Sequence, residues 1–145
     1  MQFDYKTFID AIWFERRDII SDGFDKSLYY IQGILPEMRI NKYKSGSEAW
    51  TWYVPEKWSV KNAYIKNGKN VLLDLKDHPL HVMSYSTPIS GKISKKELMD
   101  HLHYRPEYPD AIPFEFSYYN KKWGFCIESN KLCEFNHDEY EVLID

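Results

Sequence analysis

Near the start of the chain the apolar positions fall at Phe8, Ile9, Ile12, Trp13, Ile19 and Ile20, with Glu15, Arg16, Arg17 and Asp18 between them. That spacing predicts a helix over about 5–20, closed by Ser21-Asp22-Gly23. Leu28, Ile31 and Leu35 share one face at the same period, so a shorter second helix is expected to end before Pro36. Beyond it the pattern turns to period two. Trp50, Trp52 and Val54 alternate in AWTWYV (49–54), as the buried face of a strand would. The stretches 71–75, 80–86, 114–119 and 123–127 are further strand candidates, joined by turn-like KNGKN (66–70) and YNKK (119–122). One helix interrupts them. Ser94 with Glu97 three positions on forms a capping box, which satisfies two orphan backbone donors. Leu98 and Leu102 then share a face and Pro106 lies beyond, which predicts a helix over 94–104. The final EYEVLID alternates Tyr140, Val142 and Ile144 like a core strand. Such a strand needs neighbours for its backbone groups, so a stop at Asp145 reads as a truncated protein or a domain cut from a longer one.

This pattern is α+β: N-terminal helices, then a β-rich domain containing one capped helix, ending on a strand. At 145 residues the chain can bury one sizeable core. Net charge is −3, from 19 basic and 22 acidic residues with no long block of either sign, so neither nucleic acid nor an anionic membrane is expected as a partner. MQFDYKTFIDAIW lacks the basic start and apolar run of a secretory signal, and no apolar stretch approaches the roughly 18 residues of a membrane span. Two cysteines, Cys126 and Cys133, suit a reducing compartment. The expectation is a soluble cytoplasmic protein.

The aromatic content changes the picture more than the charge does. Tyr, Phe and Trp make 17% of the chain, and most such rings belong to the core. A subset, Trp50, Trp52, Trp58, Tyr118, Tyr119 and Trp123, is the candidate binding surface for a sugar or a peptide. His81 and Tyr85, placed on one face of a strand over 80–86, would extend it.

Other chemistry finds less support. His101, His103, Cys126, Cys133, His137 and Asp110 carry the donor atoms zinc takes. On a helix over 94–104, however, positions 101 and 103 point about 200° apart and cannot share an ion. The two cysteines lack a short Cys-x-x-Cys hairpin, so no local metal site is expected. Ser84, Ser86 and Ser117 lack a Gly-x-Ser-x-Gly elbow, Cys126 has no defined histidine partner, and the six glycines are scattered singly rather than forming a phosphate loop. The acid pairs Asp74/Asp77, Glu107/Asp110 and Asp138/Glu139 sit in turn-like segments, where solvated acids are ordinary. No catalytic residue is assigned.

The long irregular motifs carry a resemblance. SGSEAWTWYVPEKWSVKNAYI (45–65), LHVMSYSTPI (80–89) and HLHYRPEYPDAIPFEFSYYNKKWGFC (101–126), with RRDIISDGFDKSL (16–28), resemble a bacterial family of aminopeptidase-like proteins often labelled polysaccharide-biosynthesis proteins. The resemblance covers nearly the whole chain. It implies a zinc exopeptidase-like protein, with an α/β domain on a mainly parallel sheet and a small β-rich domain inserted near its N-terminus. Residues 1–44 would open the peptidase-like domain, 45–136 would be the inserted domain, and 137–145 would hold the first strand of the peptidase-like sheet. The family's metal-holding segments follow that strand and do not occur here, so zinc is implied for the longer protein and no ligand is assigned in this chain. The chain alone is expected to be inactive. The alternative is a stand-alone module that binds a sugar or peptide, or forms oligomers, through its aromatic surface.

Overall fold

The structure is a computed structural model that describes residues 3–145. It divides into two compact units, with the boundary between Ser59 and Val60.

In the first unit, α1 (Tyr5–Ile12) starts at Asp4, whose carboxylate accepts from the backbone N–H groups of Lys6 and Thr7. The helix ends eight residues short of the expected Ile20. Arg17 donates its guanidinium to the carbonyl of Ile12, at the helix end where positive charge is favoured. The Arg16 guanidinium turns back onto buried Asp18 at 3.2 Å. These polar contacts hold residues 13–20 in an irregular path. Ser21-Asp22-Gly23, expected to close the first helix, instead opens α2 (Asp22–Ile34). Ser21 accepts from the N–H of Phe24 and donates to the carbonyls of Arg16 and Asp18. Serine is a favoured N-cap, and Asp22 and Asp25 complement the dipole of the first turn. Gly23 lies so close to the preceding loop that a Cβ there would sit 1.9 Å from the Arg16 carbonyl oxygen.

The strand expected over 49–54 is a tight hairpin. β1 (Glu48–Ala49) pairs antiparallel with β2 (Trp52–Tyr53), and the chain reverses at Trp50-Thr51. Trp50 takes φ +55°. The alternation of Trp50 and Trp52 therefore marks a turn and not one face of a strand.

The second unit is built on a four-stranded antiparallel sheet in the order β4-β3-β8-β5. β3 (Ala63–Asn67) and β4 (Asn70–Asp74) form a hairpin whose turn uses Gly68 at φ +57°. β5 (Ile89–Ser94) lies on the other side, and β8 (Glu139–Ile144) runs between β3 and β5. The closing strand thus has both edges paired within Val60–Asp145, where the sequence reading set it apart as the opening of another sheet. β3 and β5 were not anticipated. Their inward positions are few, Ala63 and Ile65 in one and Ile93 in the other, with lysine, serine, asparagine and glycine between. Tyr140, Val142 and Ile144 are buried as their alternation requires.

α3 (Lys95–Asp100) has the expected cap, with Ser94 accepting from the N–H of Glu97 at 3.2 Å. It stops earlier than residue 104. His101 is its C-cap, and β6 (Leu102–His103) pairs in parallel with β7 (Phe125–Cys126). Strand pairing by the carbonyls of His101 and His103, which accept from Phe125 and Ile127, outcompetes another helical turn. The strands expected over 80–86 and 114–119 are irregular. Pro79–His81 forms a 3-10 turn, and only single bridges link Val82 to Phe125 and Ser84 to Phe116. Serine side chains replace the ladder here. Ser86 donates to the Met83 carbonyl at 2.6 Å and accepts from the Gly124 N–H, while Ser117 donates to the Tyr85 carbonyl at 2.9 Å.

Gly124 is confined: a Cβ there would lie 2.7 Å from Nε2 of His103 and 3.1 Å from the His101 carbonyl oxygen. Gly124→Ala is expected to destabilise the second unit by roughly 1–3 kcal/mol. Gly33→Ala, in α2 with open space around it, is expected to add up to about 1 kcal/mol. Urea denaturation of the two variants beside the parent checks both signs.

Candidate functional site

The candidate aromatic residues take three kinds of place. Trp50 and Trp52 belong to the first unit, where the hairpin, α2 and residues 40–43 line a groove of about 730 Å³. Tyr85, Tyr118 and Tyr119 come together in the second unit. Tyr118 packs edge-on against Tyr85 at 5.2 Å between ring centroids and lies 6.4 Å from Tyr119. The run continues through Phe116, 4.6 Å from Tyr118, to Phe114, 5.8 Å further on. Phe114, Phe116 and Tyr119 are exposed. Both Tyr85 and Tyr118 have positive φ, +64° and +41°. That conformation is costly for a bulky residue and is held here by the buried serine network.

Trp123 and His81 serve packing instead. Trp123 stacks on His101 with centroids 3.7 Å apart, and Nδ1 of His101 donates to the Trp123 carbonyl at 2.9 Å. His81 is 5% exposed and donates from Nδ1 to the Cys126 carbonyl at 2.9 Å. It ends a 3-10 turn, so it shares no strand face with Tyr85. The sequence reading missed Tyr43, Phe24 and Ile40 of the groove and Phe114 and Phe116 of the aromatic run. The signal was available as rings outside any periodic face, with Tyr43, Phe114 and Phe116 all exposed.

The helical argument against zinc fails in its detail, because His101 caps α3 and His103 lies in β6. Placement argues the point more directly. Cys126 is buried, whereas Cys133 is exposed with its Sγ directed to the Asn130 carbonyl. Among the described residues no three His, Cys, Asp or Glu side chains are grouped to hold a metal ion. The donors of this chain do not fit the zinc that the resemblance implies.

Electrostatics in the second unit favours the neutral form of two imidazoles, His103 and His78. Burial holds His103 below the ordinary histidine range, and His101, Arg105 and Lys122 push the same way against Glu115. Burial and neighbouring His81 lower His78 too. Glu141 accepts from Lys66 at 2.9 Å and Tyr64 at 3.0 Å, which keeps its carboxyl below the usual range.

A family model described as "Domain of unknown function (DUF2172)" matches residues 57–145. The chain belongs to this family. A protein of Clostridium acetobutylicum named "Putative polysaccharide biosynthesis protein with aminopeptidase-like domain" is 40% identical over 130 residues, 89% of this chain and 30% of that protein. The crystal structure of a "putative peptidase" from Clostridium acetobutylicum matches with a TM-score of 0.89 and 38% identity, over 96% of this chain and 33% of that one. The DUF2172 chain thus spans about a third of the length of the relatives it matches. Among its described residues no helix is long and apolar enough to cross a membrane.

The depressed groups set a direction for pH. A histidine held below its ordinary value binds fewer protons folded than unfolded, so its contribution is full above about pH 6.5 and falls as pH drops through that value. Glu141 adds a loss in the same direction at lower pH. The urea midpoint of the second unit is expected to fall between about pH 7 and about pH 5. His103→Gln is expected to flatten that slope, which parallel titrations of parent and variant measure.

Proposed function

We propose that this DUF2172 chain is the accessory N-terminal portion of an aminopeptidase-like metallohydrolase and is inactive by itself. The observation that carries this reading is the coverage: nearly all of the chain matches about a third of a peptidase-like structure at 38% identity. Zinc and the groups that activate water against a peptide bond would then come from the remaining length, since a zinc peptidase needs an ion held with one position open. α1 supports a partner of this kind. It buries none of its residues, yet it carries Phe8, Ile9 and Ile12 along one side, with Phe8 6.1 Å from the Tyr30 ring. The partner for that stripe is the remainder of a longer chain, with a second copy as the other candidate. A cytoplasmic location fits as well, since neither Cys126 nor Cys133 is in a disulfide.

The exposed run Phe114, Phe116 and Tyr119 favours a second reading, a stand-alone module that takes a sugar or peptide on its aromatic surface. Mass spectrometry of the native gene product separates the two, because a mass roughly three times that of this chain is expected on the first reading. On that reading the isolated 145 residues hold no stoichiometric zinc and release no product from an aminoacyl anilide, whereas the native product does both. One tightly held zinc per isolated chain would sink it.

A further inference from the structure

The tip of the β3–β4 hairpin carries the pair Asn67-Gly68. Gly68 and Lys69 are the two turn residues, and Gly68 takes φ +57°, where the turn favours a residue without Cβ. Both are exposed, and nothing lies within 4 Å of the place a Cβ on Gly68 would take. The backbone nitrogen that follows Asn67 is therefore unshielded by any side chain of its own residue. An amide carbon one residue back lies at the distance from which such a nitrogen closes a five-membered ring.

The side chain of Asn67 holds the sheet at the same place. The register of β3 with β8 ends at Lys66 and Glu141. Beyond it, Nδ2 of Asn67 donates to the Glu139 carbonyl at 2.8 Å, which ties the hairpin tip to the first residue of β8. Asp22-Gly23 is the chain's other glycine preceded by an asparagine or aspartate. It lies in α2, where Gly23 is buried and a Cβ would meet the Arg16 carbonyl oxygen at 1.9 Å. A helical backbone packed that closely leaves no room for ring closure.

We propose that Asn67 is a site of spontaneous deamidation whose product opens the tie to β8. Base takes the Gly68 N–H proton and the nitrogen attacks Cγ of Asn67. The Cγ–Nδ2 bond breaks, and the amide nitrogen leaves as ammonia with a proton from solvent. Water then opens the succinimide at either carbonyl, giving aspartate or isoaspartate at position 67. One water is consumed, one ammonia is released and no electron moves. The donor to the Glu139 carbonyl becomes a carboxylate, which sets a negative oxygen against a carbonyl oxygen. Isoaspartate also routes the main chain through the side-chain carbon and lengthens the hairpin. The inference goes beyond the accessory reading and rests only on residues of the second unit.

Incubation of the 145-residue chain at mildly alkaline pH, followed by peptide mapping in a mass spectrometer, tests it. Asn67 is expected to convert before any other asparagine, while Asp22 keeps its ordinary linkage. The converted protein, separated on ion exchange by its added negative charge, is expected to unfold at lower urea than the parent. Gly68→Asp keeps a residue that tolerates positive φ and is expected to slow conversion severalfold, with circular dichroism checking that it folds. Asn67→Asp carries the product's charge without lengthening the chain. Its urea midpoint is expected below that of Asn67→Ala at neutral pH. The folded state disfavours the ionised form, so that gap is expected to close as pH falls toward about 4 and the carboxyl is protonated. No conversion at Asn67 in the folded chain, conversion unchanged by Gly68→Asp, or Asn67→Asp no less stable than Asn67→Ala at neutral pH overturns the proposal.

Discussion

The double pairing of the last strand is the constraint on which the second unit depends. β8 gives one edge to β3 and the other to β5, so Ile144 faces both Ala63 and Ile89 across the sheet. Tyr140, Val142 and Ile144 are buried in that position. Asp145 extends the pairing, donating its N–H to the Asn62 carbonyl and accepting from Lys61. The β3–β4 hairpin is local, but β5 reaches the rest of its sheet only through residues at the far end of the chain. Such long-range closure makes folding wait for the C-terminal residues. It also explains why poorly patterned segments such as ISGKIS form strands. Their conformation is fixed by a partner with a strong pattern, and their own propensity has little say.

Beside the sheet, the second unit uses a different device. The stretches around Ser84, Ser86 and Ser117 have almost no ladder, and buried hydroxyls take up backbone groups that a strand would have paired. Phe125, Cys126 and Ile127 are fully buried beside them. This arrangement fixes loops without extending a sheet. It allows Tyr85 and Tyr118 to keep unfavourable backbone angles and holds the run of rings from Phe114 to Tyr119 at the surface. A regular strand would have put Phe114, Phe116 and Tyr118 on one face and Tyr119 on the other.

The two units differ in how completely they bury themselves. In Val60–Asp145 a continuous apolar core surrounds Phe125, Leu98 and Tyr140. In the first unit Val54 is the buried hydrophobic residue among those described, while Ile9, Trp13, Phe24 and Tyr43 remain exposed. Polar contacts around Asp18 and Ser21 supply the order that a core would otherwise give. These exposed apolar residues fall in two places that differ in chemistry. The stripe of α1 is plainly apolar, whereas the groove beside α2 is also lined by Asp25, Glu48, Lys42 and Lys57.

The sequence by itself determined the α+β class, the two opening helices, the Ser94 cap, the β4 segment and the inward face of β8. It also carried the kinship with aminopeptidase-like proteins, through motifs too long and irregular to arise from composition. In each of these the deciding interaction is local or strictly periodic, so neighbouring residues suffice to specify it. Only the tertiary structure decided where helices stop and which rings act together. α1 yields to the Arg16–Asp18 and Arg17–Ile12 contacts, and α3 yields to pairing with Phe125 and Cys126. Trp50 and Trp52 look like one strand face until the hairpin folds between them. His81 and Trp123 look available until backbone carbonyls and a stacked imidazole claim them. Each outcome depends on a partner distant in sequence or on a reversal of the chain. Hydrophobic periodicity records which side of an element is apolar, but it does not record what arrives to cover it.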